Sequence, residues 1–170
     1  MATISRVGYG QVEPNHLSAQ GNRQIYAQLP LDSEIETLEN GQFMKYDYAN
    51  GKVDLDGEGE FMLVYNEVKL YDSRDSYKDF AMTKKNYVGE EIYPRLFKTN
   101  IGDIYTTNCV GAANTKDAEY EGIDLEVGDK LKVGSEGYLV AGTDNAMTWQ
   151  VVKVYTMPDG QPAVKIQRIK

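Results

Sequence analysis

Few side chains in this chain could do chemistry, and their spacing decides which chemistries are open to them. Asp54, Asp56 and Glu58, followed by Gly59, set alternating carboxylates ahead of a glycine, as the opening of a calcium loop does. The twelfth position of such a loop calls for a bidentate Glu and here is Tyr65, and strand-like runs flank the cluster where helices would be needed. The cluster reads as the solvated tip of a hairpin. His16 is the only histidine and has no carboxylate or cysteine following it at metal-ligand spacing. Cys109, the only cysteine, excludes an internal disulfide and the ordinary cysteine zinc sites; without a neighbouring base it reads as a structural thiol.

Serine and glycine patterns lead to the same place. No Gly-x-Ser-x-Gly elbow occurs, and Gly134, Ser135, Glu136 and Gly137 read as a hairpin turn. Gly8 and Gly10 lack the third glycine and the preceding strand of a dinucleotide fingerprint. Glu90 and Glu91 could serve a glycosidase only with a second carboxylate facing them across a cleft, and nothing in the sequence places one there. Trp149, Tyr155 and Tyr138 could form a sugar-stacking face, but Trp149 lies in an apolar strand and reads as core. The expectation is a protein that is not an enzyme and takes no cofactor or metal.

The elements that would carry these residues are strands. From residue 122 to 140, apolar and polar residues alternate at period two, broken by Val127, Gly128 and Asp129 and again at 134–137. Runs 148–157 and 163–169 flank Pro158, Asp159 and Gly160, a turn in which each residue has a conformational role. Upstream, 42–49 and 52–55 flank Asn50 and Gly51, which predicts a hairpin closed by a two-residue type I′ turn. Residues 61–71 read as a strand whose first half is apolar on both faces and therefore buried, and 101–106 as another. Residues 72–101 read as a long excursion with one or two short strands, and 111–117 as a loop. After Ser33 the sequence offers either a short helix, with Glu36 completing a capping box and Asn40 and Gly41 as its stop, or an irregular turn. The fold class is all-β: sandwich- or barrel-like modules in three parts, an extended N-terminal arm (1–31), a β-rich central body (32–117) and a small C-terminal barrel-like module (118–170).

Charge sets the arm apart. The chain carries 26 acids and 18 bases, net −8, but residues 1–31 hold only Glu13 against Arg6 and Arg23. The same segment has sparse apolar positions at neither strand nor helix period, so it is expected to lie extended until a partner receives it. Net acidity argues against a nucleic-acid partner, no apolar run reaches membrane length, and the N-terminus lacks the apolar core of a secretory signal. Thirteen tyrosines suit half-buried sheet positions and interfaces.

The block 125–140, with its Val-Gly-Asp turn and strand–turn–strand run, resembles the barrel segments of capsid decoration proteins of tailed bacteriophages, and 40–47 resembles an early strand of such proteins. The resemblance implies a virion structural protein, made in the host cytoplasm, that binds the major capsid protein at the outer surface of the lattice and stabilises the shell; it leaves open whether the chain stands as a monomer or forms a homo-oligomer. On that view the capsid-binding residues are those of the arm: Tyr9, Ile25, Tyr26 and Leu29 as apolar anchors, with Arg6 and Arg23 meeting acidic sites. The alternative is a carbohydrate- or receptor-binding module of head-fibre type, with an exposed aromatic patch built from Trp149 and several tyrosines.

Overall fold

The computed structural model describes residues 1–6, 8–66, 82–83, 91–111 and 122–170. The second half of the strand expected over 61–71, most of the excursion, Glu90 and the loop over 112–117 lie outside the described residues. The strands run β1 (Ala2–Ile4), β2 (Val12–His16), β3 (Ile25–Tyr26), β4 (Thr37–Leu38), β5 (Phe43–Asp47), β6 (Lys52–Asp54), β7 (Met62–Val64), β8 (Met82–Thr83), β9 (Leu96–Phe97) and β10 (Ile104–Thr107). They continue as β11 (Ile123–Leu125), β12 (Lys130–Val133), β13 (Leu139–Ala141), β14 (Trp149–Thr156) and β15 (Pro162–Arg168), with one five-residue helix, α1 (Ser18–Asn22). The protein is all-β.

Two sheets form the body. One has six strands in the order β13-β12-β14-β15-β10-β2, the other five in the order β3-β9-β7-β5-β6. Period-two alternation in β14 and β15 turns Trp149, Val151, Val164 and Ile166 inward, all fully buried. Facing them from the other sheet are Phe43, Leu63, Tyr65 and Phe97, so the two inner faces share one core. Phe43 packs on Trp149 with ring centroids 5.8 Å apart, and Tyr105 meets the same indole edge-on at 5.1 Å.

The five-stranded sheet is buried on its second face as well. Met44, Tyr46, Val64 and Leu96 alternate with the inner-face residues and pack against Leu31 and Leu38. Double burial explains the unbroken apolar run Met62, Leu63 and Val64, none of which has a water-facing side.

Turn chemistry places the hairpins, with two departures. Gly128, Gly137 and Gly160 all take positive φ at the turns the sequence marks. Between β5 and β6, however, the register closes at Asp47 opposite Lys52, leaving a four-residue loop in which only Gly51 has positive φ. The Asp47 carboxylate accepts from the Asn50 backbone N–H at 3.0 Å and its side-chain amide at 2.6 Å, and this holds the wider loop in place of a type I′ turn. Nor does a helix follow Ser33. Asp32 accepts from the Glu34 N–H at 2.7 Å, an Asx turn, and Thr37 and Leu38 are extended.

The largest departure is at the N-terminus. β1 pairs antiparallel with β11, β2 with β10 and β3 with β9, so the segment expected to be a free arm is threaded through the sheets. Side chains fasten it further: Gln11 N–H donates to Asn108 Oδ1 at 2.8 Å, Thr107 Oγ1 donates to the Gln11 carbonyl at 2.7 Å and Ser18 Oγ donates to Asp103 Oδ2 at 3.0 Å. Low local hydrophobicity misleads here because ladder bonds, which composition does not register, fix the segment. The three-part division fails for the same reason, since the six-stranded sheet draws β2 from the first part, β10 from the second and β12–β15 from the third.

Candidate functional site

The densest polar cluster lies where the N-terminal segment crosses both sheets. Glu39, between β4 and β5, is fully buried, and so is the Arg6 side chain that faces it. Arg6 Nη1 donates to Glu39 Oε2 at 2.6 Å, and the Gly10 N–H donates to the same oxygen at 2.7 Å. Tyr138, just before β13, donates its hydroxyl to Glu39 Oε1 at 2.8 Å, and the Arg6 guanidinium stacks 5.8 Å from the centre of its ring. The carboxylate thus joins residues 6 and 10 to the β12–β13 hairpin. That hairpin is itself docked on the second sheet, since the Phe43 N–H donates to the Gly137 carbonyl at 2.8 Å and Gln42 Nε2 donates to the Glu136 carbonyl at 3.0 Å.

Cys109 sits beside this cluster, wholly buried, and burial pushes its thiol up to about 12. A thiol held protonated is no nucleophile at neutral pH, so its role is packing. Gly10 shows how tight that packing is: a Cβ there would stand 2.5 Å from the Asn40 carbonyl and 2.7 Å from Cys109 Sγ. Close approach is therefore what Gly10 provides. Burial, with the Glu39 carboxylate adding to it, also drives the Tyr138 phenol far above its ordinary range. With two charge-assisted donors and a phenol already on it, Glu39 acts as a structural clasp.

A second polar group lines an open cleft of about 980 Å³ beside β6. Lys52 pairs with Asp32 and, at 2.8 Å, with Asp54. The ammonium beside it holds the Asp32 carboxyl below its ordinary range. Asp54 also accepts from the Leu55 N–H at 2.6 Å, while Asp56 and Glu58 are exposed. Among the described residues, no three His, Cys, Asp or Glu side chains converge to hold a metal ion.

The six residues expected to bind a capsid part company in this structure. Arg6 is committed to Glu39 and is out of reach of any partner. Ile25 packs against the inter-sheet core. Tyr26 and Leu29 pack against the second core, Tyr26 edge-on to Tyr46 at 5.8 Å, yet both stay half-exposed, as does Tyr9. Arg23, the left-handed residue that ends α1, is exposed and makes no ion pair among the described residues. His16 is exposed at the end of β2. Trp149 is fully buried, which removes it from any sugar-stacking face and places it in the core, as the apolar strand around it predicts. Neither Glu39 nor Gly10 stands out in the sequence, because the clasp joins residues 33 and 99 positions apart.

Fold and clasp define a class, an all-β protein whose two large sheets both take a strand from its own N-terminal segment. No protein-family model, curated protein or solved structure matches the chain.

Proposed function

We propose that this chain is a non-enzymatic structural protein of a tailed-phage virion, made in the host cytoplasm, that decorates the capsid surface and stabilises the shell by binding the major capsid protein. The observation that carries this reading is the pairing of β2 into one large sheet and β3 into the other, with β1 held in a separate two-stranded sheet with β11 and the buried Arg6–Glu39 pair between β1 and β2. Bracing the joints of a shell needs a body whose layers cannot slide apart, and this one is tied across its layers by ladders, a buried ion pair and a shared aromatic core. The resemblance of residues 125–140 to decoration-protein barrel segments supports the same reading.

The lattice contact falls to the outward side of the N-terminal segment. Arg23 offers an exposed charge, and Tyr9, Tyr26 and Leu29 offer half-exposed apolar surface. Arg6 and Ile25 serve the interior. Each contact is small, and a symmetric shell multiplies it over many copies.

Co-sedimentation of the purified chain with undecorated shells tests the reading. The chain is expected to pellet with shells to a saturating ratio, and a Tyr9→Ala, Arg23→Glu variant with an unchanged circular dichroism spectrum is expected to lose at least tenfold in affinity. A folded chain that never pellets would overturn the function; an unaffected variant would overturn the contact residues.

A further inference from the structure

The outer face of the six-stranded sheet carries a pattern that neither the core nor the clasp explains. In β12, Lys130 and Lys132 flank the fully buried Leu131, and in β15 Lys165 sits between the fully buried Val164 and Ile166, so all three lysines point away from the core. In β14 a bulge between Val151 and Lys153 adds one residue to the strand, and this sets Lys153 opposite Lys165 on the same outer face. Among the described residues, none of the four lysines lies within ion-pair distance of a carboxylate. Among the described residues of its strands, the acid on that face is Glu13 of β2, which is buried and is drawn toward its charged form by Lys165.

Like charges placed directly opposite in a ladder destabilise it. Lys153 and Lys165 share one aromatic partner, each ammonium standing 5.6 Å from the centre of the Tyr155 ring. The ring offsets part of the repulsion. A lysine cluster of this kind breaks a local rule in a chain of net charge −8, and the contacts it makes within the monomer, the Tyr155 ring and the attraction of Lys165 for Glu13, offset the repulsion only in part.

The complement is on the same molecule. The cleft beside β6 presents Asp32, Glu34, Asp54, Asp56 and Glu91 against the single Lys52. Lys52 holds Asp32 and Asp54, which leaves Glu34, Asp56 and Glu91 exposed at its rim. We propose that the Lys130, Lys132, Lys153 and Lys165 face docks into the acidic cleft of a second copy of this chain. The contact is heterologous, so it closes as a ring or grows as a filament. A nucleic acid fits less well, because it would bring its charge against the acidic remainder of the chain. Two copies of net charge −8 also repel at long range, but at about 0.15 M salt the Debye length of about 8 Å screens that repulsion more than it screens contacts at the interface. The inference stands independently of the capsid reading.

Sedimentation velocity tests it. At about 0.15 M salt the wild type is expected to show species above one chain, reverting to one chain at about 1 M salt, where screening reaches about 3 Å. Lys153→Glu with Lys165→Glu, and separately Glu34→Lys with Asp56→Lys and Glu91→Lys, are each expected to stay at one chain with unchanged circular dichroism. Mixed, the two variants still hold one intact lysine face and one intact cleft between them, so they are expected to form complexes of more than one chain. A wild type that remains one chain at both salt concentrations overturns the proposal, as do assemblies that survive both sets of reversals or a mixture that stays dissociated. Retention of the wild type on duplex DNA without self-association, lost in the lysine variant, would also overturn it and assign the face to phosphate.

Discussion

Three residues show how burial decides what a reactive-looking group does. Glu39 can be buried because Arg6, the Gly10 N–H and the Tyr138 hydroxyl together replace the water it lost. Glu39→Ala leaves the guanidinium buried without its counter-ion and is expected to cost about 3–5 kcal/mol, read as a lower midpoint in urea denaturation. Replacing Arg6 and Glu39 together by apolar residues of similar volume is expected to cost much less. Glu13 presents the opposite case. Burial raises its carboxyl above the ordinary range, and a hydrogen bond with Thr106 offsets this only in part. A raised folded value makes its contribution to stability largest below the unfolded value and smaller as pH rises through the folded one. Glu13→Gln is therefore expected to raise the melting temperature at pH 7.5, with the gain shrinking toward zero as the pH falls to 4. Tyr105 buries a hydroxyl with no partner among the described residues. Tyr105→Phe is expected to hold or gain stability by about 1 kcal/mol in the same assay.

At the scale of elements, the parts of the fold legible in the sequence are those whose cause is local. The β12–β13 and β14–β15 hairpins follow from alternation and from glycines at turns, since both signals act within a few residues. The β5–β6 pairing is equally visible, but its turn is not, because Asp47 holds a wider loop that an Asn-Gly pair does not announce. What the sequence hides is pairing at long range. β1 meets β11, and β2 meets β10, across about a hundred residues of chain, and no periodicity in residues 1–31 points to either partner. Of the site, Cys109 as a buried thiol was legible from its small and polar neighbours; the Arg6–Glu39–Tyr138 clasp was not, because it exists only after those long-range pairs have formed. A chain lacking residues 1–31 removes β1, β2 and β3 together, so it is expected to fail to fold, shown by loss of the near-ultraviolet circular dichroism of Trp149 and its ring neighbours. A truncated chain that kept that signal would return the segment to the status of an arm. Gly10→Ala would force a side chain against the Asn40 carbonyl and Cys109, and it is expected to destabilise the fold even though the residue lies outside every strand.

As a whole molecule, the protein divides its surface between two charge regimes and its interior between two cores. The inter-sheet core and the core beneath Leu31 and Leu38 share the five-stranded sheet, so a cavity opened in one weakens the support of the other. Net acidity sets isolated chains to repel one another at long range, while the lysine face and the acidic cleft give neighbouring copies a way to meet. A decoration protein built this way would gain from every added contact on a repeating surface, and weak single contacts would suffice. The direct measurement is copy counting by quantitative mass spectrometry on purified particles. The chain is expected in the particle at a fixed, high ratio to the major capsid protein, and is expected to be lost stepwise when shells are stripped under conditions that leave the shell intact. Particles that lack the chain, or that carry only a few copies confined to the tail, would contradict it.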